Sequence, residues 1–234
     1  MKESSPERWA DYVAETLISR LQVQPTLRLC LPTGLTPVPI YERVARAVSA
    51  GRVSFKHAEV FLLDEFGGVE PGDPGRCDQM LRRFLLDRVD LPDERFHRFS
   101  LDGDIEAECQ AYEQAIGSGC DLALLGLGEN GHIGMNEPGS PVDSLTRRVD
   151  LAPETTAATA RYFSHDRLPT WGVTMGIATI MRSREVWLIA AGTRKKTIVR
   201  RTVRDPISTQ LPASLLRGHP TALLIVDNEA GGEI

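Results

Sequence analysis

Apolar positions recur along the chain in two alternating rhythms. Trp9, Val13, Leu17, Ile18 and Leu21 fall at helical spacing. Ser5-Pro6-Glu7 supplies the start signal for that helix: a capping hydroxyl, a proline at the first helical position and an acid near the positive end of the dipole. A short apolar run at residues 27–31 follows and ends in Pro-Thr-Gly-Leu-Thr-Pro (32–37). Pro37 then opens an amphipathic stretch with Ile40, Tyr41, Val44 and Val48 on one face. Strand, turn and helix repeat from there. Residues 59–63 predict a strand running into Asp64-Glu65-Phe66-Gly67-Gly68, then a Pro/Gly loop at 71–75 and a helix carrying Met80, Leu81, Phe84 and Leu85. Residues 105–116 predict a helix, and 121–127 a buried strand ending in Gly-Glu-Asn-Gly-His. Residues 185–191 predict a strand that stops at Gly-Thr-Arg-Lys-Lys (192–196) before a helix through Val203, and 222–226 a last strand.

Strands that alternate with helices, several of them continuous apolar runs, predict an α/β fold with a mostly parallel sheet covered by helices on both faces. Residues 146–165 are less regular and read as an antiparallel excursion. No internal repeat, low-complexity segment or linker divides the chain, so residues 1–234 are expected to form a single domain.

Composition narrows the partners more than the fold. The net charge of −5 leaves no basic footprint for nucleic acid, so an anionic ligand would have to be caught by local cations. No apolar run approaches the roughly 18 residues of a membrane span, and the first residues lack a signal-peptide pattern. Cys30, Cys77, Cys109 and Cys120 contain no Cys-x-x-Cys pair and read as free thiols of a reducing compartment. A cytoplasmic protein without membrane partners is therefore expected. His57, His97, His132, His165 and His219 are isolated from one another, so neither a metal nor any other cofactor is implied.

Four polar clusters sit just after a predicted strand: residues 33–36, Asp64-Glu65, 129–132 and 193–196. In a parallel sheet all four fall on the carboxyl edge, where open α/β folds bind ligands. Thr33, Gly34, Leu35 and Thr36 fit an anion cradle, with backbone approach at the glycine, two hydroxyls and a helix N-terminus behind them. An ordinary capped turn explains the same residues. Gly126-Leu-Gly-Glu-Asn-Gly131 matches the dinucleotide fingerprint by letter. Gly134, Pro138 and Gly139 leave no room for the helix that fingerprint requires, so a nicotinamide cofactor is rejected. His132, with Asn130 before it and Glu137 after it, suits a proton shuttle, because a nearby carboxylate orients an imidazole and favours its charged form. Asp64, the first polar residue after an apolar strand, should be buried enough to raise its pKa toward the range of a general base. Capping a helix or pairing with an arginine would explain it equally.

These motifs resemble glucosamine-6-phosphate deaminases. The resemblance rests on Leu-Pro-Thr-Gly-Leu-Thr-Pro (31–37), Leu-Asp-Glu-Phe (63–66), Gly-Glu-Asn-Gly-His-Ile-Gly-Met-Asn-Glu-Pro-Gly-Ser (128–140), Ala-Arg-Tyr-Phe (160–163), Val-Thr-Met-Gly-Ile-Ala-Thr-Ile (173–180) and Gly-Thr-Arg-Lys (192–195), in that order. It implies a modified Rossmann-like fold and the conversion of glucosamine 6-phosphate and water into fructose 6-phosphate and ammonia. It also implies that Asp64 is the base that moves a proton between carbons 2 and 1, and that His132 opens the ring with Glu137 as its charged partner. Asn130 would orient the imidazole. Residues 33–36, Arg161 and Lys195 would hold the phosphate. The related 6-phosphogluconolactonases share the fold and a Gly-His loop but lack the Asn-Glu-Pro continuation.

Three departures from the pattern bear on this. Asn130 stands where many members have aspartate. Gly-Asp-Pro-Gly-Arg-Cys-Asp (72–78) replaces the usual His-Pro and Ser-Tyr, opening an altered substrate and an added anion contact from Arg76. Arg147 is present but Val149 replaces a lysine, which argues against allosteric control and a hexamer and for a monomer or small homo-oligomer. A lactonase, in which His132 activates water, and a non-catalytic sugar-phosphate sensor are the competing readings.

Overall fold

The computed structural model describes residues 2–3, 6–164, 167–232 and 234. The elements run β1 (Lys2–Glu3), α1 (Pro6–Val23), β2 (Arg28–Leu31), α2 (Val38–Ser49), β3 (Glu59–Leu62), β4 (Asp64–Phe66) and α3 (Cys77–Phe84). They continue with β5 (Phe96–His97), α4 (Ile105–Ile116), β6 (Leu122–Gly126), β7 (Arg147–Asp150), α5 (Pro153–Thr159) and β8 (Trp171–Thr174). The chain closes with α6 (Ile177–Met181), β9 (Glu185–Ala190), α7 (Lys196–Arg204), α8 (Pro212–Leu215) and β10 (Ala222–Asp227). Pro6 opens α1 as expected; the cap assigned to Ser5, like His165, lies outside the described residues.

Seven strands form one parallel sheet in the order β1-β10-β9-β6-β2-β3-β5. Its central strands are buried on both faces, which is why they read as unbroken apolar runs. From β2 the chain steps outward to β3 and β5 and then returns to β6 on the other side of β2. The carboxyl ends of β2 and β6 therefore bound a topological switch point, where the crossovers diverge and leave a crevice.

Aromatic side chains pin helices to this sheet through their polar ends. Trp9 on α1 donates its indole N–H to the Ile225 carbonyl at 3.0 Å. Tyr41 on α2 donates to the Pro32 carbonyl at 2.7 Å, tying the helix back to the turn that precedes it. Tyr112 on α4 donates to the Leu62 carbonyl at 2.7 Å. Each ring is buried and each polar tip is satisfied, so neither end of the side chain opposes burial. At the start of α4, Asp104 accepts from the Glu106 and Ala107 amides, a side-chain N-cap.

Leaving β3, the chain does not enter a loop. Asp64–Phe66 pair antiparallel with β8, which pairs in turn with β7, so a second three-stranded sheet stands beyond the carboxyl edge. This sheet contains the antiparallel excursion expected within 146–165. It also grips the segment after β6. The Met135 amide donates to Thr174 Oγ1 at 3.1 Å, and Asn136 Nδ2 donates to the Met175 carbonyl at 2.8 Å. Arg147, half-buried on β7, donates to Asn136 Oδ1 at 2.9 Å and Ser140 Oγ at 3.1 Å.

Candidate active site

A cleft of about 700 Å³ opens at the switch point. The segments that follow β2, β3, β6 and β9 all reach it, so the four polar clusters of the sequence share one cavity. Helix α5 and the turn after it supply the remaining wall through Thr155, Arg161 and Tyr162. A smaller hollow of about 160 Å³ lies at the opposite, amino end of the sheet beside Arg20, Asp121 and Glu185, away from these groups.

Asp64 projects into the cleft from β4 and is only 8% exposed. Burial raises its pKa to about 6, against the opposing effects of a hydrogen bond with Cys77 and the charge of His132. Such a carboxyl is ionised at neutral pH yet basic enough to take a proton from carbon. Space around it is made by Gly134, whose φ of +58° and close neighbours admit no side chain. A Cβ there would lie 2.8 Å from Thr174 Oγ1 and 3.4 Å from Asp64 Oδ2.

His132 stands on the loop after β6, and this loop is folded around its ring. Gly128 donates its amide to the His132 carbonyl at 2.9 Å, and the Gly131 amide donates to the Gly128 carbonyl at 3.1 Å. Asn130 Oδ1 accepts from the His132 amide at 3.0 Å, while Asn130 Nδ2 donates to Glu137 Oε2 at 2.7 Å. His132 Nδ1 lies 3.6 Å from that same oxygen, an ion-pair distance rather than a hydrogen bond, and among the described residues neither Nδ1 nor Glu137 Oε1 has a hydrogen-bond partner. A small shift of the ring would close the pair. Burial on its own would raise Glu137. Contacts from His132, Thr155 and Asn130, with the charge of His132, overcome it and hold the carboxyl at about 2.

The cradle after β2 carries Gly34 at φ +89°, with exposed Leu35 at its tip. Tyr162 closes over it, its hydroxyl oxygen lying 3.1 Å from where a Cβ at Gly34 would be. Thr33 and Thr36 line the same part of the cleft, as do exposed Arg161 and half-buried Lys195. Burial lowers the Lys195 pKa; the charge of Glu129 works against that and the charge of Arg161 adds to it. Two cations thus converge beside the backbone and hydroxyl donors, an arrangement suited to an anion carrying more than one charge.

Arg76 corrects an expectation. It does not face the cleft: it is 5% exposed, 3.5 Å from Glu65 Oε2 and 3.2 Å from Asp78 Oδ1. Burial pushes Glu65 up to about 8, while the Arg76 charge and the Asp78 and Cys77 amides work against that rise, so the arginine and its two acidic neighbours compensate one another in the interior. Glu65 points away from Asp64 and accepts from the amides of Phe66, Cys77 and Asp78 at 2.8, 2.9 and 3.0 Å, gripping the first turn of α3. That grip delivers Cys77, which the sequence did not single out, to the cleft wall beside Asp64 and Thr33. Tyr162 and Thr155 were missed as well. Their only signal was proximity to Arg161, since each meets its partner across the cavity rather than along the chain. Among the described residues no group of three or more His, Cys, Asp or Glu side chains could hold a metal ion.

With this geometry in view, the family profile described as glucosamine-6-phosphate isomerases/6-phosphogluconolactonase matches residues 2–225. The chain belongs to this family. Similar members include the glucosamine-6-phosphate deaminase of Hahella chejuensis, 42% identical over 98% of this chain and 89% of that protein. The glucosamine-6-phosphate deaminase of Rhodopirellula baltica is 41% identical over 97% and 91% respectively. Among solved structures, a monomeric glucosamine-6-phosphate deaminase superposes with a TM-score of 0.95 at 33% identity, covering 99% of this chain and 98% of that one. A 6-phosphogluconolactonase from Trypanosoma brucei superposes at 0.77 with 21% identity over 100% and 97%, a likeness of fold alone. The family's α/β sheet with helices is the architecture found here.

Proposed function

We infer that the protein is a glucosamine-6-phosphate deaminase, an enzyme converting glucosamine 6-phosphate and water into fructose 6-phosphate and ammonia. Its relatives of that name match nearly the whole chain at about 40% identity (41% and 42% for two of them). The observation that carries the reading is Asp64, a carboxyl poised near pH 6 in a cleft that also holds the His132–Glu137 pair and two cations.

In this reading residues 33–36, Arg161 and Lys195 hold the phosphate, and His132 carries the proton of the anomeric hydroxyl to the ring oxygen to open the sugar. Glu137, steadied by Asn130, balances the charge that the imidazole takes up. Asp64 removes the proton from carbon 2 and returns it to carbon 1. The amino-bearing carbon becomes an imine, water adds to it, and ammonia leaves as the ketone forms. Each step needs one group of the type present: an acid at the ring oxygen, a base over the carbon skeleton, and donors at the phosphate.

No helix is long and apolar enough to cross a membrane among the described residues. We place the enzyme in the cytoplasm, as a monomer or small homo-oligomer acting on a small sugar phosphate. The test is to offer the purified protein glucosamine 6-phosphate and, separately, 6-phosphogluconolactone. Ammonia and fructose 6-phosphate in equal amounts are expected from the first. Hydrolysis of the lactone without ammonia from the amino sugar would make it a lactonase, and turnover of neither would leave a binder.

A further inference from the structure

The second sheet carries one cross-strand row that reaches the loop after β6. Thr174 on β8 is the direct partner of Asp64 on β4 and of Arg147 on β7, so the three side chains stand on the same face. They meet consecutive residues of the loop. Asp64 Oδ2 lies 3.4 Å from where a Cβ at Gly134 would be, Thr174 Oγ1 accepts from the Met135 amide at 3.1 Å, and Arg147 donates to Asn136 Oδ1 at 2.9 Å. Arg147 then reaches on to Ser140 Oγ at 3.1 Å. Ser140 closes the turn that Glu137 opens, its amide donating to the Glu137 carbonyl at 3.0 Å. One guanidinium therefore spans the turn, from the residue before Glu137 to the residue that ends it.

We propose that Arg147 is a positioning residue for the His132–Glu137 pair: it ties both ends of the Glu137 turn to the strand row that carries Asp64, and so sets the distance between the proton shuttle and the base. Both groups must act on one sugar, His132 at the ring oxygen and Asp64 at the neighbouring carbons, so a shift of about an ångström in that spacing is costly. The guanidinium suits the task because its planar fork serves two acceptors at once in a fixed geometry. Its acceptors here are a neutral amide oxygen and a hydroxyl. Burial lowers its pKa, and among the described residues no carboxylate works against that. Asn136, fully buried, donates through Nδ2 to the Ile133 and Met175 carbonyls at 3.0 and 2.8 Å, which leaves Oδ1 for Arg147. Removing the guanidinium strands that oxygen and frees the turn, while the anion cradle, built on other segments, keeps its shape.

The inference rests on the deaminase reading, with His132 and Asp64 in the roles given above. It is tested by kcat and KM for ammonia release in wild type, Arg147→Met, Arg147→Lys, Glu137→Gln and the double variant Glu137→Gln with Arg147→Met, each checked for its fold by circular dichroism. Arg147→Met should lose about 10- to 100-fold in kcat. Its KM and its inhibition by inorganic phosphate should stay within about threefold of wild type. Arg147→Lys, whose single ammonium cannot reproduce the fork, should fall between the two. In the Glu137→Gln background the same Met substitution should cost less than about threefold further, because the carboxylate it positions is already gone. Wild-type kcat in a folded Arg147→Met overturns the proposal. So do losses that multiply in the double variant, since Arg147 would then act independently of Glu137. If Arg147→Met does not fold, Arg147→Lys takes its place in the same comparison. A wild type that releases no ammonia sinks the functional reading instead, which separates the two.

Discussion

Gly128 and His132 are in contact in a way that excludes any larger residue at 128: a Cβ there would lie 2.3 Å from the imidazole. The loop after β6 can therefore present this ring to the cleft only because position 128 has no side chain. Gly128→Ala should displace the ring while leaving the sheet intact, since Gly128 lies beyond the end of β6. We expect about a 100-fold loss of kcat with near-native circular dichroism. Wild-type turnover in a folded variant would show that His132 is not needed where it stands.

Glu137 offers a pH test of the same pair. Its folded pKa of about 2 lies below the ordinary value near 4.3, so it contributes stability above that ordinary value and loses it as pH falls toward 2. Glu137→Gln should cost about 2–3 kcal/mol near pH 7. In urea titrations at a series of pH values, the gap from wild type should close as the pH drops through that window. A gap that is independent of pH would mean that the carboxylate charge is not what the loop relies on.

Asp64 has the opposite sign. Its folded pKa, about 6, lies above the ordinary value near 3.9, so its favourable contribution is present below that value and is lost as pH rises through 6. At higher pH a buried ionised group is a cost, of the order of 2 kcal/mol. Asp64→Asn should therefore melt at or above the wild-type temperature near pH 8 and lose that advantage near pH 4. A variant that melts lower at both pH values would contradict the assigned burial penalty.

Arg76 and Lys195 separate structure from binding. Arg76→Leu strands Glu65 and Asp78 in the interior and should destabilise the fold by about 3–5 kcal/mol without changing inhibition by inorganic phosphate. Lys195→Met should leave stability near wild type, raise KM about 10- to 100-fold and weaken phosphate inhibition, with kcat altered far less. Phosphate inhibition that responds to Arg76 and not to Lys195 would reverse the two assignments.

Much of the fold was legible because its strongest signals are local. Residues 105–116 follow a helical period and are α4, residue for residue. The continuous apolar runs at β2, β6 and β9 mark strands with both faces covered. Parallel strands put the residues that follow them on one edge, so the convergence of 33–36, Asp64, 129–132 and 193–196 on one cleft followed from topology alone. What stayed hidden depends on partners distant in sequence. Asp64–Phe66 carry no sign of a second strand because three residues hold no period, and their strand exists only through pairing with β8. Helix α5 is seven residues with little apolar patterning, yet it supplies a cavity wall. Arg76 in a Pro/Gly-rich stretch gave the pattern of a surface cation, and only the buried positions of Glu65 and Asp78 explain its place.

The most direct test of the account is the joint yield of ammonia and fructose 6-phosphate from glucosamine 6-phosphate, for wild type and Asp64→Asn at matched pH. The wild type should form the two products in equal amounts, and the variant should lose turnover by a factor on the order of 100 to 10,000. It should still bind inorganic phosphate. A variant that forms both products at the wild-type rate would contradict the central claim, because Asp64 would then not be the group that moves the proton.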